Sequence, residues 1–266
     1  MLDLLLAALA VVVIATYGRG YATLPGAAVE ARRERVLAFA GGFGVVLVAL
    51  ASPFEHAADA SIAAHMAQHV LLLTVAAPLL VAARPTRVLV RGLPETWQPW
   101  CRGSERRLAS WVRRRGFAVV AAGAVALETA VVGFWHLPGP FDAALHNSQL
   151  HSLEHVSFLV ASLAVWALIA SAAARGRAVV SIFCIFATGL ACTALGAALA
   201  LAPTQWYGAY SYSSPGAALA DQQLGGMVMW GFGNLAVVVA GAVLVGTWLA
   251  GLERRTPSRR PAGRLE

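Results

Sequence analysis

The sequence predicts an all-α, polytopic membrane protein with seven transmembrane helices, its N-terminus outside and its C-terminus inside. Three observations support this fold class. The 266 residues are 59% hydrophobic and only 12% charged, whereas soluble globular proteins carry roughly 25% charged residues. Seven apolar segments approach the length that a helix needs to cross a bilayer, about 20 residues. The basic residues, finally, occur only in alternate connections between these segments.

The apolar segments define a single transmembrane domain, predicted over residues 1–252. Backbone groups in lipid must hydrogen bond within the chain, so each segment is predicted to be an α-helix. The first segment has no positive charge before its apolar run, unlike a secretory signal, and we interpret it as a retained helix. The segments cover approximately residues 2–17, 36–52, 62–83, 117–135, 150–172, 179–201 and 223–249.

The arginines set the predicted orientation. All 20 basic residues are arginines, and they fall in the first, third and fifth connections and after the seventh segment. Positively charged loops stay in the cytoplasm, so these regions are predicted to be inside. The longest, residues 84–116, is expected to carry an amphipathic helix on the inner membrane surface, and the tail, 253–266, is predicted to be disordered. Topology and contact with membrane lipid thus explain the net charge of +7, and no nucleic-acid partner is expected.

The seven histidines all lie on or just below the predicted outer face. His65 and His69 begin the third span, and His151 and His155 begin the fifth. Each pair has i, i+4 spacing, which places both imidazoles on one helix face, where they can chelate a metal ion. Glu154 lies beside the second pair and can act as a ligand, as a partner of a ligand or as a proton acceptor. If the two spans pack together, four imidazoles and a carboxylate meet.

Further polar residues extend this candidate metal site. His136 ends the fourth span and Asp221 lies at the outer mouth of the seventh, so both are candidate ligands. Asp221 is also suited to capping the start of a helix. Glu128 lies about two turns below the outer surface, and intramembrane carboxylates commonly have functional roles. The candidate supporting residues are Glu128, Gln222, His146 and His56.

Two features near the seventh span concern packing. Gly225 and Gly226 are expected to let another helix approach closely. The aromatic residues of the sixth connection are predicted to form an interfacial belt, and they are also suited to forming a lid over the site or a surface for a partner. These residues are Trp206, Tyr207, Tyr210 and Tyr212.

The ligand types narrow the choice of metal. Imidazole suits copper, zinc and iron, whereas calcium or magnesium would require a carboxylate-rich site. Haem would require axial histidines on facing helices. Three classes of function therefore stay open: a copper-handling protein, an intramembrane zinc-dependent hydrolase in which Glu154 or Asp221 acts as the base, and a haem-binding electron-transfer protein.

Four motifs follow one another along the chain. In order they are HMAQHVLLL with APLL, FWHLP with FDAALH, LEH preceded by His151 and followed by FL, and DQQLGG with MW. Together they resemble the multi-spanning CtaG family of cytochrome c oxidase assembly factors. The resemblance extends over about residues 40–250.

This resemblance implies a function and a set of site residues. The family positions here are His65, His69, His136, His151, His155, Glu154, Asp221 and Gln222. The implied protein resides in the bacterial plasma membrane, binds copper and delivers it to the catalytic subunit of a haem-copper oxidase. Such a role requires no catalytic turnover.

Overall fold

The computed structural model of the protein describes residues 2–24, 33–50 and 53–253, and these residues are folded mainly into helices. The helices are α1 Leu2–Ala22, α2 Arg33–Leu50, α3 Pro53–Ala58, α4 Ile62–Ala83, α5 Thr86–Gly92, α6 Gln98–Arg115, α7 Phe117–Trp135, α8 Pro138–His146, α9 Ser148–Ala174, α10 Ala178–Ala200 and α11 Pro215–Glu253.

Five helices in these described ranges are long and apolar enough to cross a membrane: α4, α7, α9, α10 and α11. Five of the seven predicted spans are thus matched. Helices α1 and α2 lie at the positions of the other two, but α1 offers a shorter apolar stretch, Ala8–Ala22, and α2 begins with three charged residues. The disordered tail was predicted to begin at residue 253, but α11 still includes Glu253. Residues 254–266 lie outside the described part of the chain.

Helix α11 begins earlier than its apolar segment predicted. Its first residue is Pro215, and the Ser214 hydroxyl accepts a hydrogen bond from the Ala217 backbone at 3.2 Å. A serine before the first turn and a proline at its first position are both typical of a helix start. The polar residues Asp221 and Gln222 therefore lie inside the helix rather than before it.

The long connection 84–116 contains α5 and the predicted amphipathic helix, α6. Trp100, Leu108 and Trp111 are exposed on α6, and so are its arginines. Exposed apolar rings beside exposed guanidinium groups suit a helix that lies on a membrane surface. Helix α5 packs closely on α1, since a Cβ atom at Gly20 would collide with the Val88 carbonyl.

Glycines also allow α11 to pack closely against α10 and α4. A Cβ atom at Gly226 in α11 would collide with the Ala200 backbone of α10, and one at Gly196 would lie 2.7 Å from the Trp230 nitrogen. On the neighbouring face, a Cβ at Gly225 would approach Met66 of α4 to 3.1 Å. The predicted close approach at Gly225 and Gly226 is confirmed.

Helix α4 contains a π-helical segment, Leu71–Ala76, directly after its histidine pair. Here the Ala77 N–H donates to the Leu72 carbonyl, five residues back. The next donor in this pattern would be Pro78, which has no N–H. The Leu73 carbonyl instead accepts hydrogen bonds from α9, from the Ser162 hydroxyl at 2.8 Å and the Trp166 indole at 3.0 Å. These bonds fix α4 against α9.

Candidate metal centre

The two histidine pairs face each other across the contact between α4 and α9. Their neighbouring ring centroids lie 4.4–5.7 Å apart. Glu154 lies between the pairs, with Oε2 3.8 Å from His65 Nε2 and Oε1 3.5 Å from His69 Nε2. The predicted meeting of four imidazoles and one carboxylate is therefore observed, whereas metal binding by these groups stays a prediction.

Four residues bring one ligand atom each to a common point. The ligand atoms of His65, His151, Glu154 and His155 all lie within 4.8 Å of one another. The distances from Glu154 to the imidazoles are too long for good hydrogen bonds. Within the group, the 3.8 Å from Glu154 Oε2 to His65 Nε2 resembles the separation of roughly 3–4 Å between atoms that share one ion at about 2.0–2.2 Å. This group could hold a metal ion.

The polar atoms at the centre of this cluster have no hydrogen-bond partner. They are His65 Nε2, both ring nitrogens of His69, the Nε2 atoms of His136, His151 and His155, and both carboxylate oxygens of Glu154. None of these side chains is more than 9% exposed. An unpaired buried polar group costs about 1–3 kcal/mol, and native structures contain few of them. The described part of the chain therefore concentrates several unpaired polar atoms at one buried place.

Tyr210 fixes the protonation of His65. Its hydroxyl donates to the Ala58 carbonyl at 2.8 Å and lies 3.2 Å from His65 Nδ1. Because the hydroxyl proton is directed to Ala58, His65 Nδ1 is the donor to the hydroxyl oxygen. Nε2 of His65 is then unprotonated and lies on the side of Glu154, as a metal ligand requires.

His136 reaches the cluster from the end of α7. Its Nδ1 donates to the Val132 carbonyl at 2.7 Å, which leaves Nε2 unprotonated, and its ring lies 5.3 Å from that of His69. Burial lowers the pKa of His136 to about 4, so the imidazole is neutral near pH 7. The Tyr207 hydroxyl holds the His136 backbone through its carbonyl at 3.0 Å.

Aromatic rings enclose the cluster. Phe141 lies 5.1 Å from the His65 ring, and Phe158 lies 4.7 Å from the His69 ring. Tyr207 stacks on Phe141 at 3.9 Å, and both are fully buried. Asp142 holds the sixth connection here, because its carboxylate accepts from the backbone of Gly208 and Ala209 at 3.1 Å. This connection therefore covers the cluster, as a lid would.

Asp221 and Gln222 lie away from the four-residue group. Asp221 accepts from the Ser61 hydroxyl at 2.9 Å, the Ile62 N–H at 2.6 Å and the Tyr212 hydroxyl at 2.6 Å. It therefore caps the start of α4 from a neighbouring helix, rather than the start of its own. The buried Gln222 amide accepts from the Trp206 N–H at 2.6 Å and so holds the sixth connection.

The remaining predicted residues also lie outside the four-residue group. Glu128 is buried in α7 and accepts from the Thr188 hydroxyl of α10 at 3.2 Å. His56 in α3 is exposed. His146 is exposed at the end of α8, where its Nδ1 donates to the Asp142 carbonyl at 2.6 Å.

Residues that hold or enclose the histidines were missing from the predicted site. Gln68 is fully buried in α4, and its amide donates to the Ala49 carbonyl of α2 at 2.7 Å. A glutamine inside an apolar helix, next to His69, is a signal that the sequence offered. Tyr210 gave no such local signal for a bond to His65, because 145 positions separate them.

The family relationship agrees with this arrangement. A family model described as cytochrome c oxidase caa3 assembly factor (Caa3_CtaG) matches residues 15–251. No curated protein and no solved structure matches the chain. The matched residues include every side chain of the cluster and the resemblance seen in the four motifs is confirmed. The chain thus belongs to the CtaG family of caa3-type cytochrome c oxidase assembly factors.

Proposed function

We propose that this assembly factor binds a copper ion in the cluster between α4 and α9 and delivers it to the catalytic subunit of a cytochrome c oxidase. The observation that carries the proposal is the set of unpartnered ligand atoms, which converge from His65, His151, Glu154 and His155. Four such atoms match the coordination number of an ion bound by nitrogen and oxygen.

The packing of the rings favours a single ion over haem. His65 and His151 stack on each other with centroids 5.1 Å apart and an angle of 25° between the planes. Phe141 and Phe158 fill the adjoining space. A porphyrin between axial histidines would need a flat gap between facing helices, and these aromatic contacts occupy that space. We favour copper over zinc because the family assembles a cytochrome c oxidase and the resemblance implies that this is a haem-copper oxidase.

Two further imidazoles make release of the ion possible. The His69 ring lies 5.4 Å from His155 and 5.3 Å from His136. An ion held by the four-residue group could exchange one ligand at a time for these nitrogens. A delivery site must allow such exchange, whereas a closed structural site does not. We assign His69 and His136 to this transfer step.

We further propose that the chain spans a bacterial plasma membrane seven times, with α1 and α2 as the first two spans and the N-terminus outside. The exclusive placement of arginines in alternate connections supports this topology. The cluster then faces the outer side, where the oxidase subunit would receive the ion. Glu128 would support the bundle beneath the cluster through its bond to Thr188.

Metal analysis of purified protein tests the binding step. After growth in copper-rich medium, wild type should carry about one copper per chain and His65→Ala/His155→Ala should carry none. The exposed His56→Ala variant is the control and should keep its copper. Copper absent from wild type would contradict the proposal, zinc accompanied by ester or amide hydrolysis would support the hydrolase, and a Soret band would support haem.

The delivery step is tested in cells. Deletion of this chain should lower cytochrome c oxidase activity, and added copper should partly restore it. The His56→Ala variant should complement the deletion fully, and His65→Ala/His155→Ala should not. Normal oxidase activity in the deletion strain would refute a role in delivery while leaving metal binding intact.

A further inference from the structure

A polar cavity of about 390 Å³ lies beside the metal centre, on the side of α3 and α8. Its walls include Glu55, Asp59, His146, Ser148 and Tyr210. Since a water molecule takes about 30 Å³ in the liquid, the cavity has room for several waters or a hydrated cation. Asp59, His146 and Ser148 are exposed, so the cavity opens at the protein surface.

His151 joins this cavity to the cluster. It lines the cavity and also belongs to the four-residue group. At 9% it is the most exposed of the five clustered histidines, whose other members are exposed by 4% or less. Its Nε2 is buried without a hydrogen-bond partner. An ion that arrives through the cavity would therefore meet His151 before the other ligands.

The charges around the cavity suit a cation. Glu55 and Asp59 lie one helical turn apart, since the Asp59 N–H donates to the Glu55 carbonyl at 2.9 Å. Among the lining residues that the structure describes, none is lysine or arginine. Carboxylates at the mouth of a cleft raise the local cation concentration and the rate of association.

His146 adds a nitrogen ligand at this mouth. Because its Nδ1 donates to the Asp142 carbonyl, its Nε2 is unprotonated in the neutral imidazole and is able to bind an ion. This role differs from that of the buried histidines, because His146 is exposed. It could hold a cation only transiently, in exchange with water.

From these observations we infer that Glu55, Asp59 and His146 form a cation entrance, through which copper reaches and leaves the cluster by way of His151. The inference rests on the proposed copper binding and adds to it a route and three residues. In this arrangement the outer carboxylates set the rate of loading, and the buried ligands set the amount of copper bound. The two roles can therefore be separated by experiment.

Loading kinetics test the entrance. Metal-free protein in detergent is mixed with Cu²⁺ in a weakly coordinating buffer, and quenching of tryptophan fluorescence is followed by stopped flow. Glu55→Gln/Asp59→Asn should load about tenfold more slowly, which is the lower end of the rate increase that electrostatic steering gives. It should still reach the wild-type copper content. Added salt should slow wild type, because it screens exposed charges, and should affect the variant little. The matched control, Glu95→Gln/Glu105→Gln, removes two exposed carboxylates elsewhere and should load like wild type.

A second variant obstructs the cavity after the chain has folded. Ser148→Cys is purified and then labelled with a bulky maleimide, which should slow both loading and release without changing the final copper content. Labelled Ser213→Cys, on an exposed position of the sixth connection, is the control and should behave as wild type. Wild-type rates in both the carboxylate variant and the labelled Ser148→Cys protein would overturn the entrance and leave copper binding in place. A wild type that binds no Cu²⁺ would instead overturn the proposed function, and the entrance with it.

Discussion

Helix α4 takes part in two polar clusters, one partly buried and one fully buried, and the two differ in how their polar atoms are paired. Toward α11, Asp221 accepts hydrogen bonds from Ser61, Ile62 and Tyr212. Toward α9, both oxygens of Glu154 lack a hydrogen-bond partner, as do the facing imidazole nitrogens. Both acids were predicted ligands at the outer face, yet only Glu154 lies where ligand atoms converge.

This difference distinguishes a carboxylate that stabilises the fold from one that is available to bind a ligand. A partly buried carboxylate whose hydrogen bonds are satisfied stabilises the fold, and each bond to a charged group contributes about 1.5–3 kcal/mol. A buried carboxylate without partners destabilises the fold unless something binds it. Such a cost is commonly retained where activity needs it. The α4–α11 contact therefore holds the helix in place, and the α4–α9 contact brings the proposed ligands together.

The largest expected effect is on Glu154. Glu154→Met replaces the carboxylate by an apolar side chain of similar size and should lower copper affinity more than about 100-fold, beyond what losing an outer-shell partner costs. The metal-free variant should unfold at a higher temperature than metal-free wild type, because an unpaired buried group has been removed. Competition with a chelator measures the affinity, and thermal melts in detergent measure the stability. A metal-free variant less stable than wild type would show that Glu154 is paired by the protein itself.

The next largest effect is expected at Asp221, where substitution should lower the stability instead of raising it. Asp221→Ala removes the acceptor for three donors at the start of α4 and should lower the free energy of unfolding by about 2–3 kcal/mol. The copper content per folded chain should stay at the wild-type value, because Asp221 lies outside the four-residue group. Melts and metal analysis on the same preparation check both statements. Loss of copper at unchanged stability would make Asp221 a ligand after all.

The cluster was predictable because its determinants are local. The i, i+4 spacing places His65 with His69, and His151 with His155, on single helix faces, while the arginine pattern predicts that both pairs lie at one membrane surface. The role of Asp221 was not predictable in this way. An aspartate near a helix start predicts a cap on its own helix, but its actual donor, the Ile62 N–H, is 159 positions away.

The π-helical segment shows a second limit of local patterns. Pro78 indicates that a backbone carbonyl in α4 lacks its usual donor. The pattern does not show which carbonyl is freed, or that Ser162 and Trp166 of another helix bind it. The donors depend on which helices pack together, and the spacing of apolar residues does not show which helices are neighbours. Sequence therefore predicted which groups meet but not what holds them.

A smaller effect is expected at these bonds to the Leu73 carbonyl. Ser162→Ala and Trp166→Phe each remove one donor and should each lower the free energy of unfolding by about 1 kcal/mol. The double variant should lose more than the sum, because only then is the buried carbonyl left without these two partners. Ser152→Ala is the control, since its hydroxyl bonds only to the Ser148 carbonyl of its own helix. Additive losses would mean that the carbonyl finds another donor.

The smallest effect concerns the alkaline stability of the α4–α11 contact. Burial, and next the hydrogen bond to Asp221, raise the pKa of Tyr212. Above pH 10 the unfolded chain releases this proton while the folded chain keeps it, so stability falls as the pH rises. Tyr212→Phe should flatten this part of the stability profile and leave its slope between pH 7 and 9 unchanged. Thermal melts across the range, with tyrosinate absorbance at 295 nm, measure it. An equal slope above pH 10 in both proteins would mean that the Tyr212 proton is released as readily in the folded chain, and that Asp221 keeps its place without it.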